Sequence, residues 1–194
     1  MIIGITGGTG CGKTTLLSSL EEAGVLVLDC DSIYHHLLQT DAALLSSIEA
    51  RFPGTVENGC LQRKKLGSIV FSDKAALQDL NRLTHRAICG EVHRLIDCHT
   101  GHCAIDAIAL FEGGLAELCD ATVAVIADRD IRVQRLISRD NITEEYANNR
   151  IAAQHDNRWF QENCDYCLEN NGTAEDFQKK SIVLLTQLGI IKEN

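Results

Sequence analysis

The segment Gly7-Gly8-Thr9-Gly10-Cys11-Gly12-Lys13-Thr14 limits what this chain can fold into more than any other stretch. It satisfies the pattern Gly-x4-Gly-Lys-Thr in the context that the pattern requires. An apolar strand, Ile2–Thr6, runs into it, and a helical pattern over Lys13–Ala23 leaves it. Glycines let the backbone wrap closely enough for several N–H groups to converge on one anion. The first turn of the following helix adds its partial positive charge at the same point. Gly10, Cys11, Gly12, Lys13, Thr14 and Thr15 are therefore expected to bind ATP, with Lys13 reaching the β- and γ-phosphates and the Thr14 hydroxyl ligating Mg²⁺.

A phosphate loop of this kind opens a parallel α/β sheet, and the rest of the chain fits one. Short apolar runs at Ile2–Thr6, Val25–Leu28, Cys103–Ala109, Thr122–Ala127 and Tyr166–Leu168 alternate with helical patterns. Nearly continuous apolar strands separated by helices imply a five-stranded, mainly parallel sheet covered on both faces. Residues 41–98 break the alternation. They carry helical patterns at Asp41–Phe52, Gln62–Phe71 and Lys74–Asp97 and no convincing strand, which predicts a helical insertion. A second helical stretch, Arg129–Gln161, has a break near Asn141.

With 194 residues the chain is long enough for one domain with a substantial core. Its formal net charge of −9 argues against nonspecific binding to nucleic acid or an acidic membrane face. No run approaches the roughly 18 apolar residues of a membrane span, and the opening Met-Ile-Ile-Gly-Ile-Thr has no basic leader. A cytoplasmic protein with no membrane or nucleic-acid partner and no obligate protein partner is expected. The nine cysteines are scattered, and the one Cys-x-x-Cys pair, Cys164 and Cys167, has no second pair nearby, so reduced thiols are expected rather than a zinc site.

Other features narrow the chemistry. A guanine-specific Asn-Lys-x-Asp motif is missing, which disfavours a GTPase switch, and the compact length favours a small-molecule kinase. Arg132, Arg135 and Arg139 fall at i, i+3 and i+7, on one helix face. That face suits either the phosphates or plain solvation, with a mobile segment over 141–156 favouring a closing lid. Asp29-Cys30-Asp31 follows the second strand at the edge where α/β sheets bind ligands. Asp31 suits a general base toward a hydroxyl acceptor, a helix N-cap, or both. Asp106 and Glu112, near the end of the third strand, are further candidates for outer-shell metal or substrate contacts.

The ordered pieces together resemble the dephospho-coenzyme A kinase family from Ile2 to about Lys180. After the phosphate loop they are Val27-Leu28-Asp29-Cys30-Asp31, Leu66-Gly67-Ser68-Ile69-Val70-Phe71, the helix through His85, and Leu110-Phe111-Glu112. Arg135-Leu136-Ile137-Ser138-Arg139-Asp140, Ile151-Ala152-Ala153-Gln154 and Cys164 through Gly172 follow. The resemblance implies transfer of the ATP γ-phosphate to the ribose 3′-hydroxyl of dephospho-CoA, the last step of coenzyme A synthesis, in one P-loop kinase domain. It implies a core of residues 1–54, 101–138 and 157–194, a substrate-binding insertion over 55–100 and a lid over 139–156. It further implies Asp31 as base and substrate contact, His85 and Glu112 at the substrate, Arg135 and Arg139 on the phosphates, and a loop of Asn170 to Gly172 near the ATP adenine, with Asn171 at the ATP. The chain departs from the family pattern at Cys11, where serine is usual, and at Arg86 and Ile108, where proline is usual.

Overall fold

In the computed structural model, which describes residues 1–191, the strands are β1 (Ile2–Thr6), β2 (Leu26–Asp29), β3 (Val56–Glu57), β4 (Cys60–Leu61), β5 (Cys103–Asp106), β6 (Ala121–Ile126) and β7 (Tyr166–Glu169). The helices are α1 (Lys13–Glu22), α2 (Cys30–Thr40), α3 (Ala42–Arg51), α4 (Arg63–Val70), α5 (Lys74–Asp97), α6 (Arg129–Asp140), α7 (Glu144–Ala152), α8 (Asn157–Asn163) and α9 (Ala174–Gln187). The last three residues of the expected core segment 157–194 lie outside the described part.

Five strands form one sheet in the order β2-β5-β1-β6-β7, and every neighbouring pair is parallel. Strand alternation divides the core. Ala104 joins Ile3, Ile5, Leu16, Leu20 and Phe177 in one apolar cluster, while its neighbour Ile105 joins Leu28, Val92 and Leu110 in another. Successive side chains of a strand point to opposite faces, so each cluster lies on its own side of the sheet. At roughly 1.5–3 kcal/mol for each fully buried large aliphatic or phenyl side chain, these two layers dominate the favourable side of folding.

A third apolar cluster lies away from the sheet. Leu37, Leu38, Leu44, Leu45, Ile48, Phe52, Leu66, Val70, Ala76 and Leu80 come from α2 to α5. The helices of residues 55–100 thus share their core with α2 and α3, which precede them. Each start is fixed locally: Asp29, Asp41 and Asp73 cap α2, α3 and α5 by accepting from backbone N–H groups two and three residues on.

The structure refines four sequence expectations. The sheet is wholly parallel, not mainly so. Beyond β5, expected to reach Ala109, the chain turns away after Asp106, and Gly113 N–H closes a turn onto the Ala109 carbonyl. The helical insertion contains the short antiparallel hairpin β3–β4, whose turn residues Asn58 and Gly59 both have positive φ. The dipeptide Asn-Gly is a hairpin signal of its own, and the helical periodicity around it hid that signal. The helical stretch Arg129–Gln161 consists of α6, α7 and most of α8, broken first at Asn141, whose left-handed backbone (φ 51°) ends α6.

Candidate active site

Strand β1 delivers the chain into the glycine-rich loop, and the loop is packed so tightly that side chains are excluded. A Cβ at Gly7 (φ 136°) would lie 2.2 Å from the Val125 carbonyl oxygen of β6, and one at Gly12 (φ 87°) 2.3 Å from Asn170 Nδ2. Cys11 N–H donates to the Gly8 carbonyl, curling the loop, and Lys13 Nζ reaches back to the Gly7 carbonyl at 3.1 Å. Thr14 is exposed in the first turn of α1, and Thr15, half-buried, donates its N–H to the Gly12 carbonyl.

Three side chains from distant elements brace the loop. Asn170 Nδ2, just past β7, donates to the Cys11 carbonyl at 2.9 Å. Arg132 Nε of α6 donates to the Thr9 carbonyl at 2.9 Å. Gln154, after α7, accepts from Thr9 N–H at 2.8 Å and from Arg132 Nη2 at 3.0 Å through the same oxygen. Asn170 belongs to the loop that the resemblance puts near the ATP adenine, and its bond to the phosphate loop, like that of Gln154, is a contact the sequence does not announce. Asn171, expected at the ATP, turns its Oδ1 to Asp128 N–H at 2.8 Å.

The arginine face divides. Arg132 is 3% exposed and lies beneath the loop. Arg135 is half-buried, with weak contacts of 3.4 and 3.5 Å to the Cys11 and Gly10 carbonyls and 3.3 Å to Asn170 Oδ1. Arg139 is exposed and held by Asp140, which also pairs with Arg150, and these two cations pull the Asp140 carboxyl down to about 2. Arg135 and Arg139, with Gly10, Gly12 and Thr14, line an open cavity of about 490 Å³ over the loop.

A second cavity of about 240 Å³ opens on the other side of the strand ends. Asp31 and His85 line it together with Tyr34, Leu80, Ile88 and Leu115, so a carboxylate and an imidazole share a largely apolar recess. Asp31 is not the N-cap of α2; Asp29 is, with Oδ1 accepting from Asp31 N–H (2.9 Å) and Ser32 N–H (3.3 Å) and Oδ2 from Ser32 Oγ (2.7 Å). Both oxygens of Asp29 are thereby used, while the exposed Asp31 joins the cap only through its backbone N–H and its carboxylate takes no part. Glu112 does not line this cavity. It hydrogen-bonds His155 Nε2 at 2.7 Å, and His155 stacks on Trp159.

Asp106 ends β5 beside Asp29, its partner in β2, and directly before Ala107 of the second cavity. Its Oδ1 is buried without a hydrogen-bond partner among the described residues, 3.9 Å from Lys13 Nζ. Burial raises the Asp106 pKa, Lys13 opposes that rise, and Asp29 and Asp31 add to it. Cys11 is 1% exposed, and burial pushes its thiol up despite the nearby Arg132 and Lys13, which argues against oxidation at this position. No group of three or more His, Cys, Asp or Glu suited to a metal occurs among the described residues, and no helix there is long and apolar enough to cross a membrane.

The chain matches the family model for dephospho-CoA kinase over residues 1–176. It is 33% identical to a dephospho-CoA kinase of Geobacillus kaustophilus, covering 96% of each chain. It is 35% identical to one of Fusobacterium nucleatum, covering 93% of this chain and 94% of that one. A solved Thermus thermophilus structure, 28% identical, superposes with a TM-score of 0.82 over 97% of both chains. A phosphate loop at the end of β1, a recess holding Asp31 and His85 across the strand ends, and these matches over nearly the whole length agree: the chain belongs to the dephospho-CoA kinase family, whose members are ATP-dependent kinases.

Proposed function

We propose that this chain phosphorylates the ribose 3′-hydroxyl of dephospho-CoA with the γ-phosphate of ATP, releasing CoA and ADP, with Mg²⁺ as cofactor. The observation that carries the residue assignment is the 3.9 Å approach of Lys13, whose neighbours Gly12 and Thr14 line the cavity over the loop, to Asp106, whose neighbour Ala107 lines the cavity holding Asp31. A donor phosphate in the first and a hydroxyl in the second would meet at that point.

The loop amides and Lys13 hold the β- and γ-phosphates in line with the acceptor, so catalysis is chiefly positioning and charge stabilisation. Asp31, its carboxylate left free by the cap on Asp29, accepts the proton of the 3′-hydroxyl as the new O–P bond forms and the bond to ADP breaks. His85 and the apolar wall of the recess orient the acceptor. Glu112, tied to His155, supports the substrate side from outside the recess. Arg135 and Arg139 lie over the transferring phosphoryl group and neutralise charge that spreads onto its oxygens. Asn171 supports the ATP end of the site through the backbone of Asp128.

The donor set fits Mg²⁺. Thr14 and Asp106 supply hard oxygen atoms beside the loop, and Asp106 Oδ1 is a buried acceptor without a hydrogen-bond partner. Thr14 would ligate the ion and Asp106 would act through water. Bound there, the ion would neutralise charge on the phosphate oxygens.

In this reading residues 1–54, 101–138 and 157–194 form the nucleotide core, 55–100 the acceptor wall and 139–156 the lid, in a cytoplasmic enzyme without an obligate protein partner. The test is conversion of dephospho-CoA by the purified chain with Mg·ATP, reading CoA and ADP in equal amounts. Turnover of shikimate or a nucleoside monophosphate in place of dephospho-CoA would overturn it.

A further inference from the structure

Arg132 differs from every other arginine in the described chain in being buried. Taking a guanidinium out of water requires hydrogen bonds for its N–H groups and a negative charge nearby. The hydrogen bonds are present, to the Thr9 carbonyl and to Gln154 Oε1. The charge is not: among the described residues Arg132 makes no ion pair with a carboxylate.

Packing places this charge against the loop. A Cβ on Gly8 would lie 2.2 Å from Arg132 Nη2, and one on Gly10 would lie 2.9 Å from the Arg132 carbonyl oxygen. Gln154 closes the arrangement by accepting from both Thr9 N–H and Arg132 through one oxygen. A buried cation with no carboxylate therefore lies beneath a loop whose own amides are shaped for an anion.

We propose that Arg132 is a positioning residue for the nucleotide. The ATP phosphates supply its missing counter-charge, and its bonds to Thr9 and Gln154 tie the loop to the segment that follows α7. Phosphate binding and the placement of residues 139–156 are thereby linked. The proposal rests on the reading of this loop as the ATP site.

The test compares wild type with Arg132→Gln and Arg132→Lys by calorimetric titration of tripolyphosphate, ATP and adenosine, alongside the melting temperature of each ligand-free protein. Glutamine keeps an amide donor and removes the charge. Arg132→Gln should bind tripolyphosphate and ATP about 10- to 100-fold more weakly, the range of one lost charged hydrogen bond. Its affinity for adenosine and its ligand-free melting temperature should hold. Arg132→Lys should recover part of the tripolyphosphate affinity. Unchanged tripolyphosphate binding in Arg132→Gln overturns the proposal while leaving the ATP site standing. So does an equal loss for adenosine with a lower melting temperature, or a lysine variant no better than glutamine. Failure of wild type to bind tripolyphosphate or ATP overturns the ATP reading as well.

Discussion

The phosphate side and the acceptor side of this site are built by opposite means. The loop is over-determined: side chains from α6, the segment after α7 and the end of β7 each bond to it, and glycines admit contacts that no other residue would allow. Across the strand ends, Asp31 is exposed, Asp29 caps the helix in its place, and the recess wall comes from α2, α5 and the segment after β5. A transferred phosphoryl group has a fixed shape and charge, so a rigid cradle serves it. The acceptor side is less constrained, and its two helices, α2 and α5, pack both on one another and on the sheet through Ile33, Ile88 and Val92.

Removing the acid–base partner tests the acceptor side most severely. Asp31→Asn should lower kcat by about 10²–10⁴ while ATP still raises the melting temperature. A near-normal rate would leave Asp31 without a chemical role. On the phosphate side, Lys13→Ala should lower kcat by roughly 10²–10³, the cost of one preorganised donor to the developing charge.

Gly12→Ala tests the rigidity of the cradle itself. It forces a side chain into a left-handed backbone and against Asn170, and should destabilise the fold by ~1–3 kcal/mol in denaturant titration. Adding Asn170→Ala should recover only part of the loss, because the backbone strain remains; full recovery would mean that contact alone matters.

Asp106 joins the two sides and sets a pH dependence. Its pKa is raised in the fold, so between the ordinary carboxylate range and that raised value the folded state binds more protons than the unfolded one. Its contribution to stability therefore falls as pH rises through that window. In metal-free protein, Asp106→Asn should gain stability relative to wild type from pH 4 to pH 7. A constant difference between the two would show that the carboxyl titrates normally.

The smallest expected effect belongs to Cys11. Its buried, raised thiol should react with iodoacetamide far more slowly than exposed Cys60 and Cys98, and Cys11→Ser should change kcat by less than about twofold, since the loop works through backbone amides. Rapid labelling at Cys11 would show that the loop opens readily.

Much of this was legible in the sequence because it is local. Glycine spacing, apolar strand runs and the acidic residues after β2 announce themselves within a dozen residues, and the five strands lie within a residue or so of expectation apart from the early end of β5. What was hidden depends on chain folding back on itself. Nothing in a helical repeat of arginines says that Arg132 will be buried and Arg139 exposed, because the i, i+3, i+7 spacing is blind to the loop that covers one end of the face. Asp29 and Asp31 are equally good caps by composition, and the backbone geometry at the end of β2 decides between them. The contacts of Asn170 and Gln154 with the loop span 159 and 145 residues, beyond the reach of any periodicity.

The longer of these spans, from Cys11 to Asn170, bears on how the protein is made. The phosphate loop is encoded within the first fifteen residues, yet the side chain that fixes the Cys11 carbonyl comes from residue 170. Contacts of such separation carry the largest loop-closure entropy and form late in folding. A chain emerging from the ribosome therefore carries its nucleotide motif well before residue 170 is made and completes the cradle only after β7 has joined the sheet, so that tight ATP binding marks an assembled sheet.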